Sequence, residues 1–204
     1  GKLFLLNYGG RKKRKEIGRQ LKTEFTAQIR LVQEALGLTG LRLDSHQHPH
    51  MIPFVFDVLM EISEESEIPV RFVRLAKEPV VPFLRQAAFY PTYSPVNLIK
   101  NVILNFFSAT DRKKLEKRGI SYELLWGLLM SGNMDMRRIS ELFSYMVKYA
   151  EKKKTRLEIL FHPGRMRKEE ISGEYRKKGF LRFYLSPDRN VERESLYSLK
   201  GRMS

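Results

Sequence analysis

The chain has 204 residues, 42% of them hydrophobic, enough for one domain with a sizeable core or a large part of one. It has no cysteine, which excludes disulfides and thiolate metal sites, and no apolar run long enough for a membrane-spanning helix. The net charge of +15 favours polyanionic partners in general, but beyond RKKRK (11–15) and EKKK (151–154) the basic residues are scattered among acids. No nucleic-acid-binding module accompanies them, so a well-solvated surface is expected and a specific nucleic-acid partner is not.

The chain opens on Gly1 and shows no signal-peptide pattern, so a start inside a longer gene product and a cytoplasmic location are expected. Ile17, Leu21, Phe25, Ile29, Val32 and Leu36 recur every three or four residues, which predicts a helix, with Gly37 placed to end it. LRLDSH (41–46) reads as a short strand and FVFDVLMEISEES (54–66) as a helix, with Pro53 suited to its first turn. PVRFVRL (69–75) reads as a second strand. Residues 76–95 hold four prolines and read as an irregular loop. Helices are predicted over 95–118 and 136–152, the second introduced by the turn-like SGNMD, while the stretch near Trp126 is ambiguous. RLEILFHPG (156–164) is a third strand, and helical or looping segments follow.

Strands alternating with helices of ten or more residues predict βαβ units and a parallel sheet, an α/β fold in one domain over 1–204. In such folds ligands gather at the carboxyl ends of the strands. Both histidine-bearing segments, 44–50 and 162, fall there.

LDSHQHPH (43–50) holds three of the four histidines of the chain. If the strand continues, Asp44, His46, His48 and His50 share one face. Imidazole is the commonest protein ligand for divalent transition ions, so the cluster predicts a metal site, with Asp44 as ligand or as the group that orients a ligating ring. Pro49 and Pro53 place His50 at the end of the extended stretch. The bland alternative is a set of surface or capping histidines. A D-x-H-x-H amidohydrolase or phosphoesterase is a further alternative, but such multi-metal sites need more histidines downstream, and only His162 remains. No P-loop, GxSxG or Rossmann glycine pattern is present.

LDSHQHPHMIP (43–53) closely resembles the LDSHHHVHMIP-type signature of the YdjC-like carbohydrate deacetylases, metal-dependent N-deacetylases of amino sugars that include the chitooligosaccharide deacetylases. EFTAQI (24–29), IPVRFVR (68–74), GLLMSGNMD (127–135), LEILFHPG (157–164), EYRKKGF (174–180) and ERESLYSL (192–199) match the family in order, so the resemblance covers nearly the whole chain. It implies a distorted (β/α) TIM-like barrel, lacking its first strands in this chain. It implies His46 as a metal ligand and His162 of HPG as a general acid, with His48 and His50 lining the same site. Arg74 would hold a carboxylate or a substrate oxygen. One divalent ion is implied, Mg or Zn foremost, with a carbohydrate substrate; a homo-oligomer is compatible with this.

The chain also departs from the family. The NADDFG strand, whose aspartates supply a ligand and the base, and the GLH-type strand with a second ligand are absent from these residues. Arg42 stands where the family often has His, and Pro49 where it usually has an apolar residue. The missing motifs are expected upstream, in which case residues 1–204 alone should bind metal weakly and lack activity. The rival to the enzyme is a non-catalytic barrel that binds an anionic glycan or lipid through its basic surface.

Overall fold

A computed structural model describes residues 2–164, 166–173, 181 and 184–203; the EYRKKGF segment (174–180) lies outside the described residues. The chain is mixed α/β and rich in helix, and the strands among the described residues form two parallel pairs. It divides into two compact units, residues 1–77 with 102–123 and residues 78–101 with 124–204.

The first unit holds α1 (Lys2–Asn7), α2 (Arg11–Leu36), β1 (Leu41–Leu43), α3 (Pro53–Glu65), β2 (Val70–Val73) and the larger part of α4 (Pro95–Lys117). Helix α2 begins at Arg11, six residues before the apolar period starts at Ile17, because Lys and Arg are good helix formers even without a buried face. It ends as predicted: Gly37 takes the left-handed conformation (φ 59°) and donates its N–H to the Gln33 carbonyl. Proline starts α3 at its first turn, and Val55, Phe56, Val58, Leu59, Met60 and Ile62 form its buried face.

β1 pairs with β2 in parallel, Leu43 opposite Val73, with α3 as the crossover. Both strands are shorter than the sequence suggests. Beyond their ends the ladder continues by one bond, from the Arg74 N–H to the Leu43 carbonyl. The other edge of β2 bridges Ser121 through Phe72. Leu41, Met51, Phe56, Val73, Leu75 and Leu115 are buried at the centre of this unit.

In the second unit, β3 (Leu124–Trp126) and β4 (Leu157–Ile159) pair in parallel across α5 (Met136–Lys152). β3 is the ambiguous stretch near Trp126. All three of its residues are buried, and a strand buried on both faces has no alternation to betray it. Asp135 caps α5, its carboxylate accepting the Arg138 N–H at 3.0 Å. Trp126, Leu129, Met130, Met134, Ile139, Leu142 and Met146 make the core together with Phe83 and Phe89. Those two phenylalanines come from the proline-rich stretch, which is two 3₁₀ segments, Val81–Arg85 and Ala87–Thr92, rather than an open loop. α6 (Asp188–Met203) closes the described chain.

Glu78 ties the start of that stretch to the turn after β3. Its carboxylate is fully buried and accepts N–H bonds from Gly127, Leu128 and Leu129 at 2.6, 2.9 and 2.7 Å, and one from Asn101 Nδ2 at 2.7 Å. Gly127 has φ 130°, and a Cβ there would fall 2.2 Å from the Leu160 carbonyl oxygen, so this turn accepts only glycine.

Candidate metal and acid sites

β1 ends at Leu43, so the strand alternation that would align Asp44, His46, His48 and His50 does not hold. The chain instead turns. The His48 N–H donates to the Ser45 carbonyl at 3.0 Å, and Gln47 (φ 61°) and His48 (φ 58°) are both left-handed. Pro49 then opens a 3₁₀ turn, Pro49–Met51. A left-handed non-glycine residue costs about 1–2 kcal/mol; two in succession persist only where their surroundings impose them, a pattern that clusters at functional sites.

The turn folds the histidines back onto Asp44. His48 Nδ1 lies 3.7 Å from Asp44 Oδ1, beyond hydrogen-bond reach, and this nitrogen is buried with no hydrogen-bond partner among the described residues. His50 is 2% exposed. One donor atom each from Asp44, His48 and His50 lie within 4.8 Å of one another, a set able to hold an ion. His46 sits on the exposed side of the turn and is not part of that set. Arg74, just past β2, pairs through its guanidinium with Asp44 Oδ2. The carboxyl ends of β1 and β2 thus bring together Asp44, His48, His50 and Arg74.

The hydrogen bonds of His50 settle its protonation. Nε2 is 2.7 Å from the Arg74 carbonyl, which can only accept, so Nε2 carries the proton. Nδ1, 2.5 Å from Ser45 Oγ, then accepts the hydroxyl proton, while the same oxygen accepts the His50 N–H at 3.2 Å. Burial, the largest influence, holds this imidazole down to about 4, so it is neutral at neutral pH. Burial pushes the Asp44 carboxyl up, but the neighbouring His48 ring, Arg74 and the Ser45 backbone outweigh it. The net effect holds the carboxyl below its usual range and keeps it anionic. A carboxylate held anionic beside the buried His48 nitrogen is the donor chemistry a divalent cation takes.

His162 lies in the second unit, past the end of β4, which stops at Ile159 rather than running to the HPG turn. Its Nδ1 is 3.4 Å from Ser131 Oγ and 3.6 Å from Glu192 Oε2. Glu192, on α6, is fully buried; it accepts the His162 N–H through Oε2 at 2.5 Å and the Gly132 N–H through Oε1 at 2.6 Å. Neither Glu192 nor Glu78 stands out in the sequence. ERESLYSL (192–199) marks the neighbourhood of the first, but periodicity assigns a glutamate to a solvated face.

The fold and the two histidine sites describe an α/β protein with parallel strands and a candidate Asp–His metal centre at strand ends. The chain belongs to the YdjC-like protein family, whose model matches residues 3–200. It is 35% identical over 78 residues to a carbohydrate deacetylase of Geobacillus stearothermophilus, covering 38% of this chain and 30% of that protein. It is 28% identical over 136 residues to a carbohydrate deacetylase of Xenopus laevis, covering 63% of this chain and 40% of that protein. The match therefore spans less than half the length of either relative. No solved structure matches the chain. No helix among the described residues is long and apolar enough to cross a membrane.

Proposed function

We propose that the chain belongs to a hydrolase that removes N-acetyl groups from amino sugars or short N-acetylated oligosaccharides, on a distorted (β/α) barrel and with one divalent ion. The observation that carries this reading is the His48 Nδ1 atom, buried without a hydrogen-bond partner among the described residues and facing the Asp44 carboxylate at the strand ends. A buried nitrogen lone pair without a donor is costly, and a cation satisfies it. Membership of the family and the names of the two relatives support the activity.

In this reading Asp44 and His48 hold the ion. His46 joins them as the ligand that the family signature implies. His50, with both ring nitrogens committed to Ser45 and Arg74, acts as a rigid wall behind them rather than as a ligand. Arg74 fixes the Asp44 carboxylate and places a permanent positive charge beside the site, suited to a substrate oxygen. Bound there, a divalent ion such as Mg or Zn would lower the pKa of a water and polarise the amide carbonyl. His162 delivers the proton that the departing amine needs. The family's base belongs to its NADDFG motif, and these 204 residues contain no adjacent pair of aspartates.

The test is acetate release from N-acetylated chitooligosaccharides by the full-length protein, after chelator and after return of Mg or Zn. Release that chelator abolishes and metal restores is the expected result. Release indifferent to chelator, or no release from any N-acetylated sugar, overturns the proposal.

A further inference from the structure

Resting on His162 as the acid of that reaction, we infer that Glu192 is its positioning residue: the α6 carboxylate clamps the His162 backbone and faces the ring nitrogen turned away from the leaving group. A buried carboxylate is costly unless its oxygens are used. The two oxygens of Glu192 are divided in a telling way. Oε1 takes the Gly132 N–H, in the turn that also carries Ser131. Oε2 takes the N–H of His162 itself and lies 3.6 Å from Nδ1 of the same residue. Ser131 Oγ, 3.4 Å from that nitrogen, closes the other side. A second pair of bonds fixes the HPG turn to α6: Arg189 Nη2 donates to the Pro163 carbonyl at 3.2 Å, and the Gly164 N–H donates to the Arg189 carbonyl at 3.3 Å. Backbone and ring of His162 are therefore referred to one helix.

The chemical consequence is a choice of nitrogen. A carboxylate beside Nδ1 favours the proton on Nδ1, which makes Nε2 the nitrogen that exchanges with substrate. In the doubly protonated ring, Nδ1–H lies beside Ser131 Oγ at 3.4 Å and within the field of the Glu192 carboxylate at 3.6 Å, and Nε2–H points to the amine. As the C–N bond of the hydrated amide breaks, its electron pair stays on nitrogen, which takes the Nε2 proton. Acetate and the amine leave, and the neutral ring is reprotonated from solvent. A carboxylate that served only to cap two backbone N–H groups would have no part in that choice.

The substitutions E192Q and H162A, in the full-length protein with its metal, separate the two roles. The probes are an N-acetylated chitooligosaccharide, whose amine must be protonated to leave, and an aryl acetate, whose phenolate need not be. We expect E192Q to lower kcat on the amide by ~10-fold or more, within the range of general-acid effects, with KM and aryl-acetate turnover within about 3-fold of wild type. We also expect the ¹⁵N resonances of neutral His162, assigned by their loss in H162A, to report the Nδ1–H form in the wild type and a shift toward Nε2–H in E192Q. Amide turnover that survives H162A overturns the acid assignment itself. An H162A defect with E192Q like wild type, or an E192Q loss equal on amide and ester, overturns the role of Glu192 alone. If E192Q does not fold, the wild-type spectrum still decides: neutral His162 in the Nε2–H form refutes the inference.

Discussion

Glu78→Ala should strongly destabilise the second unit. It removes the acceptor for four donors at once: the N–H groups of Gly127, Leu128 and Leu129, and Asn101 Nδ2. Three of these contacts are buried, and the fourth is partly so. A buried donor left without an acceptor costs about 1–3 kcal/mol, so the three buried ones alone give roughly 3–9 kcal/mol. Water entering the vacated space would relieve part of that, and loss of one partner from a buried charged network typically costs about 3–5 kcal/mol. We expect about 4 kcal/mol, a large share of the stability of a domain this size. Glu78→Gln keeps one acceptor oxygen but turns an NH₂ toward donors, so about half that loss is expected. Burial pushes the Glu78 carboxyl up, and the four donors pull against it. A proton on the carboxyl would find no acceptor among those donors. Urea unfolding followed by circular dichroism, with the slope of the transition checked against wild type, measures both variants. An alanine effect below about 1 kcal/mol, or a glutamine variant as stable as wild type, would refute the reasoning.

Two further outcomes follow from the first unit. Asp111 is fully buried on α4, its Oδ2 lacks a hydrogen-bond partner among the described residues, and burial pushes its carboxyl up to about 7 against the pull of Lys114. An acid whose folded pKa exceeds its unfolded value holds more protons when folded. Stability should therefore fall as pH rises from about 4 to about 7, by at most about 4 kcal/mol at ~1.4 kcal/mol per unit. Asp111→Asn should flatten that slope and stabilise the protein above pH ~7; an unchanged pH profile in urea titrations would contradict the assignment. At the metal site, calorimetric titration of Zn or Mg into alanine variants should show the largest loss for His48, a clear loss for His46 and the smallest for His50. Removing a group that only orients a ligand costs about 10-fold in affinity, which sets the scale for His50, and a loss at His50 that exceeds the one at His48 would make His50 a ligand.

What the sequence made legible was the architecture that depends on local pattern. The α3 face, the Gly37 stop, the Asp135 start and the parallel crossover all rest on spacing or on a single capping residue, and each is where periodicity puts it; the α2 period forms a helix, but Val32 and Leu36 of its apolar stripe are exposed. Sequence pattern extends β1 and β4 too far because the apolar–polar alternation of β1 continues into Asp44 and the apolar run of β4 continues into Phe161, past the last paired residues. The location of the Asp44–His48–His50 cluster was legible, but its internal arrangement was not. Alternation assumes extended backbone, and no residue type in SHQHP announces two left-handed positions in succession.

The two acids were hidden for a different reason. Sequence patterns place charge on the outside, and they are right unless a distant segment supplies donors. Glu78 finds its backbone partners 49 to 51 residues away, and Glu192 reaches the His162 N–H across 30. Nothing local distinguishes such a glutamate from its solvated neighbours, such as Glu194 two positions on. The distinguishing fact is that burial without donors would be prohibitive, so the carboxylate stays in the core only where a turn aims its N–H groups at it. In this chain those turns are 127–129 and 131–132 with 162, which flank the end of β3 and the end of β4. The buried acids thus hold the backbone that carries Ser131 and His162. Substituting either acid should therefore disturb the Ser131–His162 backbone before it disturbs the Asp44–His48 cluster, which rests on Ser45, Arg74 and the β1–β2 ladder instead.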